Sequence, residues 1–265
     1  MKEDQFFLGQ LADKVDQCEN KYITTYTNFM DTHQQSIARI HCKKNFVRVL
    51  EEDFPISEMG NLPPTRSIFY GGFPEAERVI LVNMPDYTFL ESENPLTVIR
   101  ATKAEGSREL THRDYLGSLL GIGIKRELVG DILVREDGAD IIVMEDIADF
   151  ILMHYGQAGR TTLSLTKHGV DELIVPVQKK SVITDTVASL RLDSVVASAF
   201  GLSRGKASEA ITRGIVFVNH MEITKPDFQV SEGDKITLRG KGKACLTEIG
   251  GKSRKDRQYI TIERY

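Results

Sequence analysis

Residues 190–239 read LRLDSVVASAFGLSRGKASEAITRGIVFVNHMEITKPDFQVSEGDKITLR, and this stretch decides the fold of the C-terminal third. Val195, Val196, Ala199 and Phe200 recur on one helical face, Asp193 stands where an N-cap is favoured, and Gly201 stands where a helix ends. Ser203 is placed to cap a second helix, in which Ala207, Ala210 and Ile211 form a buried stripe that Gly214 closes. Val216-Phe217-Val218 and Ile236-Thr237-Leu238 read as strands, with Pro226 and Gly233-Asp234 punctuating the region between them. The pattern predicts two short helices packed beside a small sheet.

The cations of this stretch fall where a polyanion binds. Ser203, Arg204 and Lys206 occupy the first turn of the second helix, where unpaired backbone N–H groups and the positive dipole end favour phosphate. Arg204 and Lys206 flank the buried stripe, about 160° apart around the axis. Arg191 precedes the first helix and Arg213 ends the second. Arg239, Lys241, Lys243, Lys252, Arg254, Lys255 and Arg257 follow, interleaved with Gly240, Gly242, Gly250 and Gly251, and read as a basic tail. From Asp185 to Tyr265 there are 14 Lys and Arg against 10 Asp and Glu, a net of +4, whereas the 265-residue chain carries −4; the rest therefore carries −8. An acidic body bears a basic C-terminal module. Contacts of this kind supply salt-sensitive affinity and little sequence information. Each residue has a plainer alternative: Arg191 as a solvated helix start, Arg213 as a favourable charge at a helix C-terminus, Ser203-Arg204 as an ordinary cap, Lys241 to Arg257 as a solvated tail, and Asn219 as a turn residue.

Outward from this module, Pro176 to Thr184, with Gln178-Lys179-Lys180-Ser181, reads as a connector. Upstream, Leu96 to Ala101 reads as a strand, and Thr111 to Leu120 as a helix capped by Thr111 with Tyr115, Leu116, Leu119 and Leu120 on one face. Asp131 to Arg135 and Asp140 to Met144 read as a hairpin around Asp137-Gly138. Glu145 to Tyr155 reads as a helix and Thr162 to Thr166 as a closing strand. This order is the split βαβ or ferredoxin-like plan. Val79 to Val82 is open between strand and helix because it follows the helix-favouring Pro74-Glu75-Ala76-Glu77-Arg78, and Arg39 to Leu50 is equally open. Pro55 to Gly72 is turn-rich, with Pro63-Pro64 and Gly71-Gly72 as breakers, and residues 6–34 read as helix from Phe7, Leu8, Leu11 and Val15. The expected class is α+β: a mostly helical N-terminal region (1–75), a central ferredoxin- or RRM-like α/β domain (76–176) and the C-terminal module (184–265).

The apolar runs Val79 to Met84 and Ile141 to Met144 are far shorter than the roughly 18–20 residues of a membrane helix, and Met1-Lys2-Glu3-Asp4 does not open a secretory signal. Cys18, Cys42 and Cys245 are scattered and odd in number, which fits a reducing cytoplasm. The six His residues show no paired ligand spacing, so no metal is expected. Gly201-x-x-x-Gly205-Lys206-Ala207 lacks the spacing and the Ser or Thr of a phosphate loop, Gly117-x-x-x-Gly121-x-Gly123 follows a helix and is not a dinucleotide fingerprint, and no G-x-S-x-G appears. His112-Arg113-Asp114 is the best acid–base candidate. Neither cofactor nor catalysis is expected. Arg113, Lys125 and Arg126 form a possible second basic patch beside His112; the alternative is that Thr111 and Asp114 cap a helix and the nearby glycines allow tight packing.

Arg191-Leu192-Asp193, Ser203-Arg204 with Ala207, Gly214 to Asn219, Lys225-Pro226, and Val230 with Gly233 to Ile236 together resemble the S-four RNA-binding domain, the module named after ribosomal small-subunit protein four. His220 departs from that pattern, which usually has Gly after the Asn. The resemblance implies RNA contact at Arg191, Ser203, Arg204, Lys206 and Arg213, to which the charge pattern adds Lys241 and Lys243. Gly71 to Arg78 and Thr111 to Arg126, continuing through Gly130 to Val134, extend the likeness to the YlmH family of bacterial proteins. That resemblance implies a central RNA-binding domain and a non-catalytic role on the ribosomal large subunit, with ribosomal RNA and tRNA as partners, in rescue or quality control of stalled ribosomes. It also implies a link to cell division; neither DNA nor membrane is an expected partner. The alternatives are an RNA-modifying enzyme with an S-four docking arm and a division-linked interaction factor.

Overall fold

The computed structural model describes residues 2–50, 64–90, 92–176 and 180–265. Most of the turn-rich stretch before Pro64 and residues 177–179 of the connector lie outside the described residues. Helix α1 (Lys2–Lys21) buries Leu11, Val15 and Cys18 on one face. It ends at Lys21, well short of residue 34: Tyr22 takes φ +52°, and the β-branched run Ile23-Thr24-Thr25 favours extended backbone, so Thr25–Tyr26 forms strand β1. Asp31 then caps α2 (Thr32–Lys44); its carboxylate accepts from the Gln34 N–H at 2.8 Å, and the Gln34 side chain accepts from the Asp31 N–H at 3.0 Å. Arg39 to Leu50 thus divides into the end of α2 and strand β2 (Val49–Leu50).

Strands β3 (Thr65–Tyr70) and β4 (Ile80–Pro85) complete a sheet of order β1-β4-β3-β2, with β2 parallel to β3. Val79 to Val82 runs into strand because Pro74 to Arg78 makes a turn, not a helix. Glu75 takes φ +70°, and a Cβ on Gly71 would lie 2.3 Å from that of Ala76. The border expected after residue 75 falls between these two paired strands.

The following elements are β5 (Leu96–Lys103), α3 (His112–Gly121), β6 (Val129–Val134), β7 (Gly138–Met144), α4 (Ala148–His154), β8 (Gln157–Ala158) and β9 (Thr161–His168). Their sheet order, β6-β7-β5-β9-β8 and antiparallel throughout, is the split βαβ plan with one short strand added. Ile99, Ala101, Ile141 and Val143 face Tyr115 and Leu119 of α3 and Ile151 of α4. On the other face Leu96, Ile142 and Met144 meet Phe29, Ile68, Ile80, Val82 and Met84 of the first sheet region. The first sheet's own far side packs Phe69 and Leu81 against Leu11, Val15, Ala38 and Cys42 of α1 and α2. The layers are therefore helices, sheet, sheet, helices. At the start of β7 only glycine fits, since a Cβ on Gly138 would lie 1.9 Å from the Ala101 carbonyl oxygen.

Asp140, at 0% exposure in β7, accepts from Arg100 Nε and Nη2, both at 2.9 Å, from Arg135, and from the Ile174 N–H at 2.9 Å. Burial pushes its carboxyl up, and these donors outweigh burial and hold it below the ordinary range. At the start of α3, Asp114 accepts from the Thr111 N–H (2.8 Å), the Thr111 hydroxyl (2.7 Å) and Arg108 Nη2 (2.8 Å), which bring its carboxyl down to about 2. A depressed folded value contributes stability above the unfolded Asp value of about 4, and that contribution is lost as pH falls toward about 2. Asp114→Asn is accordingly expected to lower the urea midpoint of the first unit by a constant amount above about pH 4, with the difference shrinking toward pH 2. Urea titrations of both proteins across that window test this, and a difference that does not narrow would refute it.

Residues 1–176 and 177–265 form two separate units. The second comprises β10 (Ser181–Val187), α5 (Leu192–Phe200), α6 (Arg204–Thr212), β11 (Val216–Val218), β12 (Met221–Glu222), β13 (Lys235–Leu238), β14 (Gly242–Lys252) and β15 (Gln258–Arg264), with sheet order β10-β15-β14-β13-β11-β12. Its β10 begins ahead of residue 184. Both helices pack on one face of this sheet over Val216, Val218, Ile236, Leu238, Ala244, Leu246, Ile260 and Ile262. Gly201 ends α5 in the left-handed conformation, φ 61°. Two expectations are corrected. The N-cap of α5 is Arg191, not Asp193, which lies inside the first turn. The basic segment after Arg239 is no tail: β14 and β15 form a hairpin, because Ala244, Leu246, Ile260 and Ile262 alternate into the core. Asn219 and His220 turn the β11–β12 hairpin with φ +49° and +66°, and Asn219 Nδ2 donates to Asp234 Oδ1 at 2.7 Å.

Candidate nucleic-acid interface

The first turn of α6 is open to solvent. Ser203, Arg204, Gly205 and Lys206 are all exposed, and the Ser203 hydroxyl accepts the Lys206 N–H at 3.4 Å. Ala207, Ala210 and Ile211 anchor the helix below. A Cβ on Gly205 would meet open space, so nothing in this unit obstructs approach to the free N–H groups.

Arg191 and Arg204 meet at this end of the helix pair. Asp193, 4% exposed, accepts from Arg191 Nε (3.3 Å) and Nη2 (3.1 Å) and from Arg204 Nε (3.1 Å) and Nη2 (3.4 Å). Burial raises the Asp193 carboxyl, the two guanidiniums lower it, and the net direction is down. The arginine side chains keep 36% and 56% of their surface in solvent. Residues 226–228 fold back on the start of α5, with the Asp193 N–H donating to the Pro226 carbonyl at 3.0 Å and the Leu192 N–H to the Phe228 carbonyl at 2.8 Å. This loop brings exposed Lys225 and the 37% exposed Phe228 to the same end. Sequence pattern carries no signal for the role of Asp193 beyond capping or for the position of Phe228. Both depend on that loop.

The remaining candidates lie elsewhere. Arg213 sits at the far end of α6, about 13 Å along the axis, with Glu209 at 3.8 Å. Lys241 lies in the β13–β14 turn. Lys243 precedes the buried Ala244, so it points to the sheet face away from α5 and α6. Arg254 and Lys255 are exposed between β14 and β15, while Lys252 pairs with Asp256 at 2.7 Å and Arg257 donates to Thr186.

In the first unit, Arg113 and Lys125 are exposed, but Arg126 turns inward to the Val129 and Gly130 carbonyls. Burial and the neighbouring Arg78 bring its guanidinium down to about 10. Arg78 itself donates to the Val129 and Phe29 carbonyls at 3.0 and 3.1 Å, so the Gly71 to Arg78 motif joins the two sheets. Asp114 is bonded to Thr111 and Arg108, and among the described residues no hydrogen bond joins it to His112. Burial, then Arg126, lowers the His112 value. RRM-type sheets read RNA by stacking bases on aromatics of the central strands. Here β5 and β7 carry no aromatic residue, every residue of β7 is buried, and on the face away from the helices Leu96, Ile142 and Met144 are covered by the first sheet together with Val170 and Leu173, while Thr162, Ser164 and Thr166 of β9 stay exposed. Among the described residues, no helix is long and apolar enough to cross a membrane.

Comparison with known proteins finds two family matches. The model described as "Putative RNA-binding domain in YlmH" matches residues 93–172, and that described as "S4 domain" matches residues 190–236. A protein of Bacillus subtilis (strain 168) named ribosome-associated protein quality control protein P2 is 33% identical over 264 residues, covering 99% of this chain and 96% of that protein. A solved structure, cell division protein ylmH from Streptococcus pneumoniae, is 26% identical, covers 65% of this chain and 94% of its own, and superposes with a TM-score of 0.48.

Proposed function

Because the chain belongs to the YlmH family of S4-domain proteins, we propose that it is a non-catalytic, cytoplasmic RNA-binding protein of the translation apparatus. It docks on ribosomal RNA or tRNA at the large subunit and serves ribosome-associated quality control. The observation that carries this is the solvent-open first turn of α6 beside two arginines held at one point. A free helix N-terminus with flanking cations takes phosphate without reading sequence. Family membership supplies the ribosomal setting, through the quality-control name of the B. subtilis relative.

The test is co-sedimentation of the full chain with purified large subunits over a salt series. Binding at about 0.1 M salt that falls steeply toward about 0.3 M is expected. Failure to co-sediment at any salt concentration overturns the proposal. Nucleoside analysis of the bound RNA before and after incubation separates it from a modifying enzyme, which would leave an altered nucleoside.

A further inference from the structure

Arg191 and Arg204 come from two different helix starts, yet their guanidiniums converge on the one carboxylate of Asp193. An unanchored arginine loses side-chain freedom when it captures phosphate, and that loss of rotamer entropy opposes binding. Here each guanidinium is already fixed through Nε and Nη2, and the four hydrogen bonds leave Nη1 of each outside the pairing. Asp193 is itself held: its N–H donates to the Pro226 carbonyl, and the Ser194 hydroxyl donates to its Oδ1 at 3.2 Å. We propose that Asp193 is a positioning residue that assembles Arg191 and Arg204 into a single preorganised site for one backbone phosphate of the RNA. This rests on the RNA-binding reading above and adds to it the group that shapes the contact.

Electrostatics alone predicts the opposite effect for removing Asp193. A negative charge beside a polyanion site weakens binding, so its neutralisation should tighten it. If the carboxylate instead fixes both forks, its loss frees two long side chains and weakens binding. The experiment titrates the full chain with unfractionated tRNA at about 0.1 M salt. Asp193→Asn is expected to bind about tenfold more weakly, although the site loses a negative charge. Equal or tighter binding overturns the inference. Asp193 is buried, so a second variant covers a folding failure: Arg191→Lys with Arg204→Lys keeps both charges on part-exposed side chains and removes the planar forks. It is expected to show the same loss, and adding Asp193→Asn to it should cost no more than about twofold. Wild-type affinity in the double-lysine protein also overturns the inference. The RNA-binding reading fails separately, through the glutamine pair at Arg204 and Lys206 described below. If that pair weakens binding while Asp193→Asn tightens it, only the positioning role is lost.

Discussion

Replacing Arg204 and Lys206 together by glutamine is expected to lower the affinity of the full chain for structured RNA by roughly 100-fold at about 0.1 M salt. Each charge-assisted hydrogen bond to phosphate contributes about 1.5–3 kcal/mol, and losing two removes about 3 kcal/mol or more. The salt dependence should change with it: each lost phosphate contact reduces the slope of log K against log salt by about 0.7–0.9, so the pair reduces it by about 1.5. Glutamine is the informative substitution. A residue that only flanked the core would tolerate even Arg204→Glu with the thermal midpoint within a few degrees. The ion pair with the buried Asp193 alters that, since charge reversal would set two carboxylates against each other. Glutamine removes the charge at a smaller cost, near 1 kcal/mol for a side chain that is 56% exposed. Filter binding of the variant across a salt series checks both magnitudes, and an unchanged affinity with an unchanged slope would remove α6 from the interface.

The second large effect lies in the other unit and concerns stability. Asp140→Ala is expected to destabilise the first unit by about 3–5 kcal/mol, because it leaves the guanidiniums of Arg100 and Arg135 facing a hole where a fully buried carboxylate stood. It also frees the Ile174 N–H, and with it the segment carrying Val170 and Leu173 over the sheet. Hydrogen exchange of the β5 and β7 amides is the direct probe, since their protection should fall by two to three orders of magnitude, about one for each 1.4 kcal/mol. RNA affinity should stay within about twofold, because the proposed contact lies wholly in the second unit. Unaltered exchange in β5 and β7 would show that the carboxylate anchors nothing.

Sequence pattern carried the elements whose stability is local. The stripe Val195, Val196, Ala199, Phe200 and the stripe Ala207, Ala210, Ile211 both became buried helix faces, and the strand–helix order of residues 96–168 became the sheet order β6-β7-β5-β9. Pattern failed where neighbours overrule it. The 3.6-residue period runs on past Lys21, yet the β-branched segment there pairs with β4. The glycines and lysines after Arg239 read as a tail because their cations dominate, while Ala244, Leu246, Ile260 and Ile262 close a hairpin. Arg126 reads as a surface cation, but two backbone carbonyls inside the fold take its guanidinium.

From the sequence alone came the α+β class, the helix pair, the free N-terminus of α6 and the cations around it, since caps, periodicity and charge are properties of neighbouring residues. Only the tertiary structure decided that Arg191 and Arg204 share one carboxylate, that Lys243 faces the other side of the sheet, and that the first sheet covers β5 and β7, the two central strands on which an RRM-type sheet stacks bases. Periodicity states which side of an element is apolar but not what comes to cover it. Asp193 is buried because residues 226–228, far along the chain, fold back across the start of α5, and nothing local to Asp193 encodes that contact.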